Sequence, residues 1–144
     1  MKITTINDKD LAELAGLYQQ LQPNEQSIEK MKDALVHIRR NPNQIILGAK
    51  IEGNLIGTLL GVTCQMLFGQ CKSFMVIEDV VVSNNYRRNG IGRALMKAIE
   101  KKAMELNCSY IMLITDHDRV NAHRFYESLG YKSDHYKAFK KSLI

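Results

Sequence analysis

Residues 74–106 read FMVIEDVVVSNNYRRNGIGRALMKAIEKKAMEL, and this stretch decides the fold. Phe74 to Val82 is apolar on both alternating faces except for Glu78 and Asp79, the pattern of a strand buried on both sides. The two carboxylates sit where charge is expensive, and alternation sends them to opposite faces of the strand. A polar turn (Ser83, Asn84, Asn85) leads into Tyr86-Arg87-Arg88-Asn89-Gly90-Ile91-Gly92-Arg93. A helix follows, with Ile91, Leu95, Ala98, Ile99, Ala103 and Leu106 on one face and Arg93, Lys97, Glu100, Lys101 and Glu105 on the other. The unit is strand, glycine turn, helix.

Such a unit aims the unpaired N–H groups of a helix start at one point, and glycine lets a ligand approach the backbone where a Cβ would block it. With Arg87, Arg88 and Arg93 at the same place, the natural ligand is an anion, most simply a phosphate. The P-loop pattern fails because no Gly-Lys-Ser/Thr follows. The dinucleotide fingerprint fails because Leu95 stands where its third glycine belongs. What remains is Arg-x-x-Gly-x-Gly, with Arg87, Gly90 and Gly92.

In that form, behind an apolar strand, the segment resembles the pyrophosphate-binding motif of the GNAT superfamily of acyl-CoA-dependent N-acetyltransferases. A second stretch, Asn121-Ala122-His123-Arg124-Phe125-Tyr126-Glu127-Ser128-Leu129-Gly130-Tyr131, is similar to that family's Asn-x-x-x-Phe-Tyr-x-x-x-Gly-Phe segment, with Tyr131 in place of the phenylalanine. The resemblance covers residues 74–131 and implies an α/β fold. In it a mixed, mostly antiparallel sheet flanked by helices contains a splayed parallel pair, Phe74–Val82 and Tyr110–Thr115. It also implies acetyl-CoA as cosubstrate. The pantetheine arm would pair with the backbone of Val80 and Val82, and the diphosphate would lie on Arg87, Arg88, Asn89, Gly90, Ile91, Gly92 and Arg93. Tyr126 would act as general acid toward the coenzyme A thiolate. Asn121 is expected to cap its helix and to reach the cofactor. Many relatives pair, so a homodimer is a family expectation.

Amide formation from a thioester needs a neutral amine, a stabilised oxyanion and a proton for the thiolate. An alkyl amine has a pKa of about 10.4 and arrives protonated, so a base must take that proton. Glu78 is the first candidate and Asp79 the second. The alternative for both is a structural carboxylate paired with a basic group or with backbone N–H groups. A backbone N–H near Val80 or Val81 serves the oxyanion most simply. Glu78 and Tyr126 together favour an enzyme over a GNAT-like module that binds acyl-CoA without turnover.

The remaining sequence fits one domain over residues 1–144, with ordinary globular composition at 45% hydrophobic and 24% charged residues. No apolar run has the length of a spanning helix and no signal-peptide core follows Met1, so a cytoplasmic protein without a membrane partner is expected. Three cysteines, Cys64, Cys71 and Cys108, have neither CxxC spacing nor histidine neighbours, so they read as small hydrophobes and no metal is expected. The net charge of +5 suits an anionic partner. Its basic residues are scattered and no nucleic-acid recognition pattern accompanies them, so nucleic acid is not expected.

Lys2 to Ile6 reads as an edge strand. Two amphipathic helices follow, one bearing Leu11, Leu14, Ala15, Tyr18 and Leu21, the other starting at a Ser27 cap and carrying Ile28, Met31, Leu35 and Ile38. Gln44–Ile51 and Leu55–Met66 form a hairpin around Glu52-Gly53-Asn54, and Gly57 and Gly61 hint at a bulge or a close backbone approach. Asn107 is the expected cap between the long helix and the Tyr110–Thr115 strand. A short helix spans about Asn121–Leu129, and Tyr131 with Tyr136–Leu143 can supply the last strands.

Overall fold

The first helical segment begins with a reciprocal cap. The Asn7 side chain accepts from the Lys9 amide at 3.0 Å, and the Asp10 carboxylate accepts from the Asn7 amide at 2.8 Å. Asp10 is buried, and Lys50 Nζ at 2.6 Å neutralises it. In the computed structural model, which describes residues 1–144, a short strand β1 (Lys2–Thr5) precedes this cap, and helices α1 (Leu11–Leu21) and α2 (Ile28–Arg40) follow it. Ser27 caps α2 by accepting from the Lys30 amide, as its sequence position suggests.

Strands β2 (Gln44–Ile51) and β3 (Asn54–Gln65) form the hairpin. Its turn is two residues long, because Asn54 joins the ladder opposite Ile51 while Glu52 and Gly53 take φ of +50° and +86°. Strand β4 (Ser73–Val82), helix α3 (Ile91–Glu105) and strand β5 (Cys108–Leu113) complete a sheet of order β1-β2-β3-β4-β5. The first three pairings are antiparallel. The α3 crossover makes β4 and β5 parallel.

Two hydrophobic layers enclose the sheet. Ile6, Leu11, Leu14, Leu17, Leu35, Ile46, Leu55 and Val81 form the core beneath α1 and α2. On the other face α3 buries Ile91, Leu95, Met96, Ile99 and Ala103. Gly61 permits that packing: a Cβ there would lie 2.8 Å from Ile99 Cδ1, so the close approach expected from its position is real.

By residue contacts the chain divides into residues 1–112 and 113–144. The second unit contains helix α4 (Val120–Glu127), which ends before Gly130 at φ +91°. Three sequence expectations are corrected here. The strand expected at Tyr110–Thr115 runs over Cys108–Leu113, since Asn107 turns at φ +56° directly after the helix and the chain is extended from the next residue. Asn121 does not cap α4. Arg119 holds the N-cap position, its carbonyl accepting from the His123 amide at 3.1 Å, and Asn121 lies inside the first turn. Residues 131–144 form neither strand nor helix, since none of them joins a ladder, and the last strands expected at Tyr131 and Tyr136–Leu143 are not formed.

Candidate active site

Strand β4 breaks the alternation that its sequence suggests. Glu78 pairs with Leu60 and Val81 with Thr58, so Leu59 alone stands opposite both Asp79 and Val80. Asp79 is the extra residue, with φ +54°, and the result is a β-bulge. Gly61, the partner of Ile77, faces Ile99 of α3, whereas Val81 belongs to the α1–α2 core, so the bulge inverts the parity between Ile77 and Val81.

The expectation that Glu78 and Asp79 point to opposite faces is therefore wrong. Glu78 shares a face with Leu60, which packs against the α1–α2 core, and Asp79 lines a cavity on that same side. Nor are the two carboxylates buried as the apolar run implied. Both are exposed, at the bulge, with Asp79 beside a cavity formed by the end of α1 and the α1–α2 connection.

That cavity, of about 220 Å³, is lined by Tyr18, Leu21, Gln22, Asn24, Gln26 and Asp79. Partial enclosure pushes the Asp79 carboxyl above its ordinary value, although the residue as a whole remains accessible. The Tyr18 hydroxyl is pushed well above the usual tyrosine range, first by burial and then by the negative charge of Asp79, so it stays protonated at neutral pH. Gln26 also borders a wider open groove with Glu25, Ser27, Lys30, Met31 and Ala34. Ion pairs join Arg39 to Asp8, Lys50 to Asp10, Lys102 to Glu105 and His135 to Asp134. Neither Glu78 nor Asp79 takes part, so the reading of both as anchored structural carboxylates finds no basic partner.

After β4 the chain makes a short 3-10 turn, Asn84–Tyr86. The Asn84 amide donates to Gln20 Oε1 of α1 at 2.9 Å, which ties the exit of the strand to that helix. Arg87 reaches back with Nε to the Val82 carbonyl at 3.4 Å, Arg88 takes φ +64°, and Asn89 Nδ2 donates to the Tyr86 carbonyl at 3.4 Å. Gly90 is the N-cap of α3 at φ +76°, with no side chain capping the helix and no acidic residue in its first turn. The amides of Ile91, Gly92 and Arg93 thus begin a helix whose positive end is unshielded. Arg87, Arg88 and Arg93 are all exposed beside it.

In the second unit, Tyr126 lies on α4 with its ring 5.1 Å from Phe125 and 6.1 Å, edge to face, from Tyr131. The Tyr126 carbonyl accepts from the amides of Leu129 and Tyr131, so the residues after Gly130 close back on the helix end. His123 lies with Nε2 2.8 Å from the Asp116 carbonyl.

The model of the acetyltransferase (GNAT) family matches residues 11–131. The chain belongs to the GNAT acetyltransferase family. This GNAT chain is 32% identical over 118 residues to an uncharacterized N-acetyltransferase of Methanocaldococcus jannaschii, covering 69% of this chain and 71% of that protein. It is 40% identical over 55 residues to an uncharacterized protein of Bacillus subtilis, a match spanning 38% of this chain and only 34% of that relative. In fold it is similar to a putative acetyltransferase from Agrobacterium tumefaciens, with a TM-score of 0.91, 24% identity and 99% of both chains covered.

Sequence reading brought out the β4 carboxylates and the glycine turn of this GNAT fold but missed the cavity residues Tyr18, Gln22, Asn24 and Gln26. Tyr18 was hidden among the apolar positions of α1. Its phenol, alone on that face in carrying a hydroxyl, was the trace to follow. The three amides cluster around Pro23, in a connection with no periodicity to read.

Proposed function

We propose that this GNAT protein is an acetyl-CoA-dependent N-acetyltransferase acting on a primary amine, of a small molecule or exposed on a protein, by direct attack on the thioester. The observation that carries the reading is the succession along one short stretch of an unpaired carboxylate in a strand bulge, Asp79, and an uncapped helix start flanked by arginines, residues 87–93. The first suits a cationic amine and the second a diphosphate. The names of relatives such as the M. jannaschii protein support N-acetyl transfer as the reaction class.

In this reading the acceptor ammonium enters the cavity and gives its proton to Asp79, with Glu78 one residue away as the second carboxylate on that face. The cavity shifts the assignment toward Asp79, because Tyr18 and the amides of Gln22, Asn24 and Gln26 surround it with hydrogen-bonding groups. The freed nitrogen attacks the acetyl carbonyl carbon. The oxyanion meets a backbone N–H of Val80 or Val81, at the end of the bulge. The C–S bond then breaks, the thiolate takes its proton from the Tyr126 hydroxyl, and the second proton, still on the nitrogen, leaves through water and restores that hydroxyl. The backbone of Val80 and Val82 pairs with the pantetheine arm, while the Ile91, Gly92 and Arg93 amides and the three guanidinium groups hold the diphosphate. Asn89 and Gly90 shape that turn, and Asn121, in the first turn of α4, is the further cofactor contact.

Thermal denaturation with and without acetyl-CoA tests the first half of this, and thiol release across a panel of amines tests the second. A raised midpoint together with amine-dependent thiol release is the expected result. A raised midpoint with no turnover on any amine would leave an acyl-CoA-binding module, and no stabilisation at millimolar acetyl-CoA would end the proposal.

A further inference from the structure

The connection between α1 and α2 is extended at both ends, Gln22 leaving the first helix at φ −146° and Ser27 entering the second at φ −101°. In an extended chain alternate residues face one side. The alternate residues here are Gln22, Asn24 and Gln26, and all three line the Asp79 cavity, whereas Glu25 borders the open groove outside it. Three carboxamides are thereby brought to one wall.

Bonds within the chain use little of their capacity. Asn24 Oδ1 accepts from the Glu25 amide at 3.0 Å, and Gln26 Nε2 donates to the Asn24 carbonyl at 3.3 Å. Asn24 Nδ2, Gln26 Oε1 and both ends of the Gln22 amide are left for a ligand, together with the Tyr18 hydroxyl. Asp79 is the one charged residue of the lining, and Leu21 and the ring of Tyr18 are its apolar part. Lys30 lines the neighbouring groove and shares it with Glu25, so no cation stands in the cavity itself.

We propose, resting on the reading of this cavity as the acceptor site of an acetyltransferase, that the acceptor is a small polyhydroxylated amine whose single charge is its ammonium group, an amino sugar or amino polyol without phosphate or carboxylate. A hydroxyl both donates and accepts, as a carboxamide does, so several hydroxyls on one ring exchange their water for the free ends of Gln22, Asn24 and Gln26. The C–H face of such a ring lies on Leu21 and Tyr18. The cavity, of about 220 Å³, is smaller than the roughly 300–1,000 Å³ of sites for drug-sized ligands, which suits a single ring.

Three other kinds of amine fit less well. A plain alkyl amine strips water from the carboxamides and returns no hydrogen bond. An amine that also bears a phosphate or carboxylate brings negative charge to a lining that holds Asp79, with the exposed Glu78 one residue away. A diamine needs a second carboxylate, and the other lining residues are neutral.

The test is calorimetric binding to the full-length protein with coenzyme A present, run beside thiol release from acetyl-CoA, for D-glucosamine, its 6-phosphate, putrescine and butylamine. D-glucosamine should bind about tenfold or more tightly than each of the others, the effect of one or two hydrogen bonds, and should lead in kcat/KM. The double variant Tyr18→Phe, Gln22→Ala keeps Asp79 and should erase most of that preference. Butylamine bound as tightly as D-glucosamine overturns the proposal, as does the 6-phosphate or putrescine in first place, no binding by any of the four, or a double variant that keeps the full preference. If that variant fails to fold, the order on the unaltered protein decides alone. Binding in the expected order without thiol release from any amine upholds the ligand class and overturns acetyl transfer. Thiol release led by putrescine or the 6-phosphate does the reverse.

Discussion

Asp79 holds its charge against its surroundings. Partial enclosure raises its pKa in the folded protein, so the folded state prefers the protonated carboxyl and the unfolded chain releases its proton first. Stability from this group is complete below the unfolded value, near 3.9 for aspartate, and is lost as pH rises through the higher folded value. At pH 7 the ionised carboxylate therefore costs stability. Asp79→Asn is expected to melt higher than the parent at pH 7 and at about the same temperature near pH 3. The same change should lower kcat/KM by the roughly 10²- to 10⁴-fold ascribed to a general base. A variant that melts lower at pH 7 would mean that the carboxylate is a structural group after all. Tyr126→Phe keeps the tilted and edge-to-face ring contacts with Phe125 and Tyr131 and removes only the hydroxyl. It should reduce kcat while leaving the acetyl-CoA KM close to the parent value, and steady-state kinetics at saturating amine would show this. Unchanged turnover would remove Tyr126 from the mechanism.

The start of α3 was legible because its determinants are local. Gly90 adopts φ +76°, and a Cβ there would touch nothing within 4 Å, so the demand for glycine comes from the backbone alone. Gly90→Ala should cost about 1–2 kcal/mol for the left-handed conformation and weaken acetyl-CoA binding by moving the first-turn amides. Chemical denaturation and calorimetry would measure the two effects separately. The Ser27 cap and the Glu52-Gly53 turn were readable for the same reason. The bulge in β4 was not. It arises from the register in which Leu60 meets Glu78 while Thr58 meets Val81, and that pairing joins residues about twenty apart in sequence. Alternation along β4 alone gave the wrong face for Asp79. The cap of α4 was missed by two positions, the scale on which helix starts are set by neighbouring hydrogen bonds and not by side-chain preference. The tail failed as a strand for a physical reason: extended residues become a strand only when an edge pairs with them.

In the proposed reaction, binding and turnover draw on different parts of the molecule. The turn at residues 87–93 and the Asp79 cavity belong to residues 1–112, whereas Tyr126 belongs to residues 113–144. In that reading, stabilisation by acetyl-CoA would report on the first unit with Asn121 as the contribution of the second, whereas the role of Tyr126 would show in kcat. At a concentration 100 times its Kd the ligand should add about 2.7 kcal/mol. The net charge of +5 sets how that figure changes with salt. Exposed guanidinium groups attract a diphosphate through solvent, where screening acts over about 10 Å at 0.1 M salt but only 3 Å at 1 M. The stabilisation at fixed acetyl-CoA should therefore shrink as salt rises, and Arg87→Ala with Arg88→Ala should flatten that dependence while lowering the affinity. Backbone amides at the α3 start, as proposed, would keep a share of the binding that salt touches less, because such donors would bond the oxygens directly. Melting curves at 0.1 and 1 M salt, with and without the ligand, separate the two contributions. A stabilisation indifferent to both salt and the two arginines would mean that the apolar arm of the ligand, and not its phosphates, holds it to this protein.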